Sequence, residues 1–195
     1  MAEQLLVYIS AAPQSRAERD LLARLISEVP TSLGWSIQQT PTSPDRAPDL
    51  EAVRRAHLFM LILGSDIQAP MGLEWMAARQ TGVPTLLWYH AGKHQTQAAQ
   101  GFMRMAARFE RWQAFTDTGD LCHQVMRQIV DHLVKRRDAY QLDEAEVQRL
   151  RAWSAAANVQ AYSAEQGRSV ANASAVVLSV ERFTPSGGRL IGTNS

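Results

Sequence analysis

The chain has 195 residues, of which 46% are hydrophobic and 20% are charged. This composition is typical of a globular protein, and the length suits one domain of average size with a smaller appendage. With 20 basic and 19 acidic residues the net charge is +1, so no global field favours nucleic acid or a membrane surface as a partner. A single cysteine, Cys122, excludes an internal disulfide, and no apolar run is long enough for a membrane span. We therefore expect a cytoplasmic protein.

Short apolar runs alternate with helical patterns along most of the chain. Strands are predicted at 5–10, 35–40, 58–63, 85–90 and 111–115. Helices are predicted at 15–29, 50–56, 70–82, 96–110 and 120–137. Ser15 and Glu18 predict a capping box at the first helix, and the proline-rich segment 41–49 predicts a mobile loop. The alternation predicts an α/β fold, a flavodoxin-like doubly wound sheet of five parallel strands.

The character of the sequence changes near residue 139. A long amphipathic pattern is followed by "AVVLSVERF" and "GRLIG", two apolar runs separated by "TPSG" that predict a β-hairpin. We therefore divide the chain into a domain at 1–138 and an appendage of helix and hairpin at 139–195. An appendage of this size does not build a core of its own, so we expect it to act as a linker or to pair with a second copy in a homo-oligomer.

The candidate site follows from the predicted topology. In doubly wound sheets, ligands bind beyond the carboxyl ends of the strands, where the strand order reverses. Small or polar residues follow the first and third strands there, namely Ser10, Ala11, Gly64, Ser65 and Asp66. Glu74 is expected to begin the helix that leaves this corner, with Trp75 beside it. An acid in a first helical turn is also favoured by the helix dipole alone, so a stabilising role for Glu74 stays open.

Other candidate groups carry weaker signals. His90 and His94 have helical spacing, but Gly92 lies between them and no further ligand cluster accompanies them, so we expect no metal. Cys122 lies on an apolar helix face, which is typical of an inert core residue. The chain has no glycine-rich phosphate loop and no nucleophile elbow.

Three segments resemble TIR-type domains. They are "LLVYISAAPQSRAERDLLARLISEV", "AHLFMLILGSD" and "GLEWMAARQTGVPTLLWY", and the resemblance covers about residues 4–137. The chain is most similar to a prokaryotic TIR-like group of unknown function whose members begin with a Val-x-Ile-Ser strand and an "AER" helix. The resemblance implies a catalytic carboxylate at Glu74 that hydrolyses NAD between nicotinamide and ribose, in signalling or defence. It also implies that the loop 40–49 gates the site.

On this reading NAD is a substrate, no cofactor is needed, and Ser10, Ala11, Ser65, Asp66 and Trp75 line the substrate site. Two alternatives stay open. Many TIR relatives keep the fold as non-catalytic assembly modules. The segment "GLEWMAARQTGVP" is also similar to the surroundings of the nucleophilic glutamate in nucleoside deoxyribosyltransferases, where Asp66 would serve as the partner acid.

Overall fold

The structure, a computed structural model, describes residues 4–43 and 45–156. Its strands are β1 (Gln4–Ala11), β2 (Gly34–Gln39), β3 (Leu58–Leu63), β4 (Thr85–His90) and β5 (Trp112–Phe115). Its α-helices are α1 (Arg16–Ser27), α2 (Leu50–Arg54), α3 (Ala69–Gln80), α4 (Gln97–Ala106), α5 (Thr118–Lys135) and α6 (Glu144–Ala156).

The five strands form one parallel sheet in the order β2-β1-β3-β4-β5. The chain first steps from β1 to β2 on one side and then crosses to β3 on the other side of β1. The strand order therefore reverses between β1 and β3, as in flavodoxin-like sheets. The predicted fold class is confirmed, and the crevice at the carboxyl ends of these strands is the place to look for a site.

One layer of helices packs on each face of the sheet, and the core lies between the helices and the sheet. Every residue of β3 is buried, which explains its uninterrupted apolar sequence. Helices α1 and α5 pack together on one face, and their buried side chains include Leu22, Ile26 and Ile129. Helices α2, α3 and α4 cover the opposite face, over Tyr8 and Phe59. A side chain on α3 can therefore meet the side chains that β1 directs to that face.

The predicted capping box at α1 is wrong. Ser15 precedes the helix, but its side chain makes no capping hydrogen bond. Residues Pro13–Ser15 form a 3₁₀ turn that runs directly into α1, so Ser15 has φ −99° and ψ 27° instead of the extended conformation that a capping residue needs. Glu18 lies 3.7 Å from the ammonium of Lys93 and forms an ion pair with it.

The predicted position of Glu74 within its helix is also wrong. Helix α3 begins at Ala69 with Pro70 in its first turn, and that turn contains no acidic residue. Glu74 therefore lies in the second turn, where the side chain faces the sheet. The predicted end of the helix is confirmed, since α3 stops at Gln80 and Gly82 follows with a positive φ of 71°.

The part of the predicted appendage that the structure describes is α6 and the turn before it. Val147 and Leu150 of α6 are buried, and α6 packs on α5. The carboxylate of Glu146 accepts a hydrogen bond of 2.8 Å from the backbone N–H of Ser32. The predicted hairpin lies outside the described residues, so the division at residue 138 stays a prediction. Within residues 4–43 and 45–156, no helix has both the length and the apolar character that a bilayer crossing needs.

Candidate functional site

The site begins with the alternation of side chains along β1. Tyr8 and Ser10 are two residues apart and therefore point to the same face of the sheet. In the parallel register Tyr8 lies beside Gln38, and Thr40 follows directly after β2, where its backbone N–H donates to the carbonyl of Ile9 at 3.1 Å. Tyr8, Ser10 and Thr40 thus present three hydroxyl groups to the face that α3 covers.

The carboxylate of Glu74 accepts a hydrogen bond from each of these hydroxyls. The Tyr8 phenol donates to Oε1 at 2.7 Å, while Ser10 Oγ and Thr40 Oγ1 donate to Oε2 at 2.6 and 2.7 Å. Glu74 is 0% exposed. We call Tyr8, Ser10, Thr40 and Glu74 the hydroxyl cluster. It ties the second turn of α3 to the ends of β1 and β2.

Burial controls the electrostatics of this cluster. Desolvation raises the pKa of Glu74, and the hydrogen bonds from Ser10, Tyr8 and Thr40 act in the opposite direction. Desolvation and the neighbouring carboxylate also raise the pKa of the Tyr8 phenol, so Tyr8 stays a hydrogen-bond donor at neutral pH. Among the described residues, no Lys, Arg or His forms an ion pair with Glu74. The dipoles of three hydroxyl groups compensate the buried acid.

Both the hydroxyl and the backbone carbonyl of Thr40 are hydrogen-bonded. Its hydroxyl lies between Glu74 and the backbone N–H of Ala11, which donates to it at 3.3 Å. Its carbonyl accepts a hydrogen bond of 2.9 Å from Nη1 of Arg19, a side chain in a residue that is only 3% exposed. Arg19 also pairs with Asp20 at 3.5 Å through Nη2. These contacts fix the point where the chain leaves β2.

A cavity of about 300 Å³ adjoins the cluster, between the ends of β1 and β2 and the start of α3. Its lining carries no charged side chain and consists of Ala11, Pro13, Thr40, Pro41, Thr42, Ser43, Gln68, Pro70 and Met71. Thr40 belongs to both the lining and the hydroxyl cluster, whereas Glu74 does not reach the cavity. Thr40 therefore separates the carboxylate from the cavity.

The structure brings only part of the predicted site together. Ser10 bonds to Glu74, and Ala11 lines the cavity. Asp66 accepts a hydrogen bond from the hydroxyl of Thr96 and another from the N–H of Ile67, which is 2.9 Å away. The carbonyl of Ser65 accepts from the N–H of Thr96 at 2.9 Å. In this structure Ser65 and Asp66 bond to Thr96, the residue that precedes α4, and lie outside the hydroxyl cluster.

Trp75 faces the core. It is 2% exposed, and its ring packs edge-on against Phe102 with centroids 5.3 Å apart. A second ring, that of Phe109, lies 6.3 Å away. The indole Nε1 is buried without a hydrogen-bond partner among the described residues. In this structure Trp75 joins α3 to α4 and does not line the cavity.

Sequence reasoning missed Tyr8 and Thr40. A signal for Tyr8 was present, because Tyr8 and Ser10 alternate with apolar Val7 and Ile9 in a strand that is otherwise apolar. No such local signal marks Thr40, which stands at the edge of a polar segment. Its role depends on the register between β1 and β2.

The remaining candidates lie apart from the cluster. His90 accepts a hydrogen bond from the N–H of Gly92 at 3.1 Å, and its ring contacts Phe115 with centroids 4.9 Å apart. Within the part of the chain that the structure describes, no three His, Cys, Asp or Glu side chains are grouped as a metal would require. Cys122 is fully buried, and burial raises the pKa of its thiol to about 12, which leaves it an unreactive core residue.

Comparison with the models of known protein families and with curated protein sequences gives no match for this chain. The resemblance to TIR-like domains therefore rests on the three segments described above and stays an expectation.

Proposed function

We propose that the chain hydrolyses NAD at the nicotinamide–ribose bond, with Glu74 as the catalytic carboxylate. One observation carries the proposal. A carboxylate that has no cationic partner among the described residues is buried at the carboxyl ends of β1 and β2, and one of its three hydroxyl partners, Thr40, also lines the adjacent cavity. Ligands of doubly wound sheets bind in this region, next to the reversal of strand order.

The charge of the site suits a cationic group. The cavity lining is neutral, and Glu74 is the acid that lies behind it. The nicotinamide ring of NAD carries a positive charge while it is bonded to ribose. A cation next to a carboxylate in a poorly solvated site favours the ionised form of that carboxylate and lowers its pKa. Substrate binding would thus favour the charged state of Glu74 that catalysis needs.

The proposed chemistry requires a single carboxylate. The bond between C1′ of ribose and the ring nitrogen breaks, and the electron pair stays on nitrogen, so that nicotinamide leaves as a neutral molecule without a general acid. The positive charge that develops on the ribosyl group is stabilised by Glu74. Water then adds to C1′ and loses a proton. Tyr8 and Ser10 hold the carboxylate in position through their hydrogen bonds.

This proposal requires a movement, because Glu74 has no exposed surface in the structure. The side chain of Thr40 has to leave Oε2 of Glu74 before a substrate can contact the carboxylate. Residues 41–43 follow directly and line the same cavity, so a shift of this short segment would join the cavity to Glu74.

The test is an assay of nicotinamide release from NAD by the purified full chain, with products separated by chromatography. Glu74→Gln preserves the shape of the side chain and removes its charge, and we expect it to lower the rate by about 10²–10³. Glu51→Gln, which changes an exposed acid on α2, is the matched control and should retain the wild-type rate. Thermal melting of each variant checks that it is folded. Absence of turnover in the wild type, also at high protein concentration, contradicts the proposal.

A second function, a non-catalytic interaction module, is favoured by the complete burial of Glu74. In that case the hydroxyl cluster only fastens α3 to the sheet, and Glu74→Gln lowers the melting temperature of a protein that has no turnover to lose.

A nucleoside deoxyribosyltransferase activity receives less support. Asp66 would have to act together with Glu74, yet its carboxylate bonds to Thr96 and Ile67. Incubation with deoxynucleosides, with free base as the product to be measured, distinguishes this activity from NAD hydrolysis.

A further inference from the structure

Helix α3 and the end of α4 carry exposed apolar side chains. The large hydrophobic side chains that are exposed in the described residues all lie on α3, on α4 or just after α4: Leu73 at 56%, Met76 at 47%, Met105 at 41% and Phe109 at 49%. We call these four residues the α3–α4 patch. Exposed hydrophobic residues scattered one by one need no explanation, but a group of them marks an interaction site.

Direct contacts show that the two helices contribute to one surface. The guanidinium carbon of Arg79 on α3 lies 3.4 Å from the ring centroid of Phe109, which follows α4. Trp75 packs beneath them against the same ring. Met76 precedes Arg79 by three residues and therefore lies on the same side of α3. Met105 lies in the last turn of α4, and Phe109 follows three residues after the end of that helix.

The exposed charged side chains of α3, of α4 and of residues 107–109 are all basic. Arg79, Arg104 and Arg108 are exposed beside it, and α3 and α4 carry no exposed Asp or Glu. Glu110, just beyond the patch, is half-buried and interacts electrostatically with Arg79, so the positive charge of the patch comes mainly from Arg104 and Arg108. Because the whole chain has nearly equal numbers of basic and acidic residues, this asymmetry is local. In the part of the chain that the structure describes, Arg104 and Arg108 form no ion pair.

We propose that the α3–α4 patch is a docking site for an acidic amphipathic helical segment of a partner protein. Apolar side chains of the partner pack on Met76 and Phe109, and its carboxylates bond to the guanidinium groups of Arg104 and Arg108. Methionine adapts to varied apolar shapes, and arginine binds carboxylates with two parallel hydrogen bonds. Recognition of an amphipathic helix by an apolar surface is a common mode of peptide binding.

The charge also argues against a second copy of the same patch as the occupant. In a two-fold dimer the same surface faces itself, so Arg104 and Arg108 of one protomer would approach the same cations of the other. Like charges brought together in this way oppose association, whereas an acidic partner is attracted to the patch.

Two synthetic helical peptides test the proposal with the full chain. Both carry leucines on one face, and the polar face carries glutamates in one peptide and lysines in the other. Binding is measured by fluorescence anisotropy with labelled peptide at low and at high salt. We expect the acidic peptide to bind at least about tenfold more tightly than the basic one at low salt, and salt to weaken its binding.

Charge reversal locates the binding surface. Arg104→Glu/Arg108→Glu should lose the preference for the acidic peptide, and Met76→Ser, which removes apolar surface without adding charge, should weaken the binding of both peptides. Arg24→Glu/Arg151→Glu changes the charge by the same amount on exposed positions of α1 and α6 and should bind like the wild type.

Three outcomes overturn the proposal. The first is that neither peptide binds, and the second is that both bind equally, which makes the patch an unselective apolar surface. The third is self-association of the full chain that Met76→Ser abolishes, since the occupant is then a second copy.

Discussion

In the part of the chain that the structure describes, three hydroxyl groups and no cation stabilise Glu74 in its buried position. Burying an ionised carboxylate is costly unless hydrogen bonds replace the lost water, and the raised pKa of Glu74 reflects the part of that cost that remains. Each hydroxyl of the cluster matters because it is both buried and bonded to the acid. Loss of one donor leaves an oxygen of Glu74 with fewer partners in a place that water does not reach.

The Thr40→Val variant tests this account of the cluster. Valine has nearly the shape of threonine but cannot donate to Oε2 of Glu74, so we expect the free energy of unfolding to fall by about 1–3 kcal/mol. Thr42→Val makes the same chemical change at an exposed position and should alter stability by less than about 0.5 kcal/mol. Urea unfolding of both variants measures the difference. Equal effects would contradict the role given to Thr40.

His132 predicts a pH dependence of stability. Burial and the charge of Arg136 lower the pKa of His132 to about 4, while its ring bonds to the hydroxyl of Tyr140 at 2.9 Å. In the unfolded chain the pKa is near its ordinary value of about 6.5, so the unfolded state binds more protons between these values. Stability is therefore complete above about pH 6.5 and falls as the pH approaches 4, by on the order of 2 kcal/mol after allowance for partial solvent access.

The His132→Gln variant isolates this effect. Its stability between pH 4 and 6.5 should vary less than that of the wild type, whereas His123→Gln, at an exposed position of the same helix, should follow the wild type. The raised pKa of Glu74 changes the free energy of unfolding with pH in the opposite direction. Because Glu74 is present in both proteins, the difference in unfolding free energy between wild type and His132→Gln isolates the effect of His132. Denaturant melts at several pH values measure this difference. Parallel curves for wild type and His132→Gln would contradict the assignment.

At the scale of elements, the strands were the most predictable part. Residues 58–63 and 85–90 form strands with the predicted bounds, because both are short, mainly apolar runs, a pattern that can be recognised without knowledge of the neighbouring strands. The predicted start of α3 at residue 70 was one residue late, because Pro70 lies in the first turn and the helix begins at Ala69. The expected first-turn position of Glu74 was wrong for a different reason. Glu74 follows Pro70 by four residues, which is more than one helical turn.

The end of α3 gives a matched pair of glycine substitutions. Gly82 has φ 71°, and the N–H groups of Gly82 and Val83 satisfy carbonyls of the last helical turn. Gly82→Ala should destabilise the protein by about 1 kcal/mol, since alanine is strained in this conformation. Gly101 lies within α4 with no atom within 4 Å of an added Cβ, so Gly101→Ala should stabilise by about 0.5–1 kcal/mol. Thermal melting with the same sign for both variants would contradict this distinction.

For the molecule as a whole, the sequence predicts the topology of the sheet better than it predicts the residues of the site. Alternation of strands and helices was sufficient for the doubly wound sheet and for the region of the crevice. The composition of the site was only partly predictable, because Thr40 meets Glu74 through the register of β2 on β1 and the packing of α3 on both. Ser65 and Asp66 also follow a central strand, but the carbonyl of Ser65 and the carboxylate of Asp66 accept hydrogen bonds from Thr96.

The homo-oligomer stays a prediction. The prediction depends on residues 139–195, of which the described part, α6, buries Val147 and Leu150 within the same chain. We expect light scattering of the full chain to give at least a dimer, and a chain ending at residue 156 to give a monomer. A monomeric full chain at high concentration contradicts the prediction.

The hydroxyl cluster also bears on how the molecule folds. Its hydrogen bonds join residues separated by 66, 64 and 34 positions in the chain. Contacts of such sequence separation form only after long loops have closed, and Thr40 further requires β2 to have docked at the edge of the sheet. The cluster should thus assemble after the folding transition state. Its disruption by Thr40→Val would then accelerate unfolding and leave the refolding rate nearly unchanged, so that the same hydrogen bonds that bury Glu74 set the lifetime of the native state.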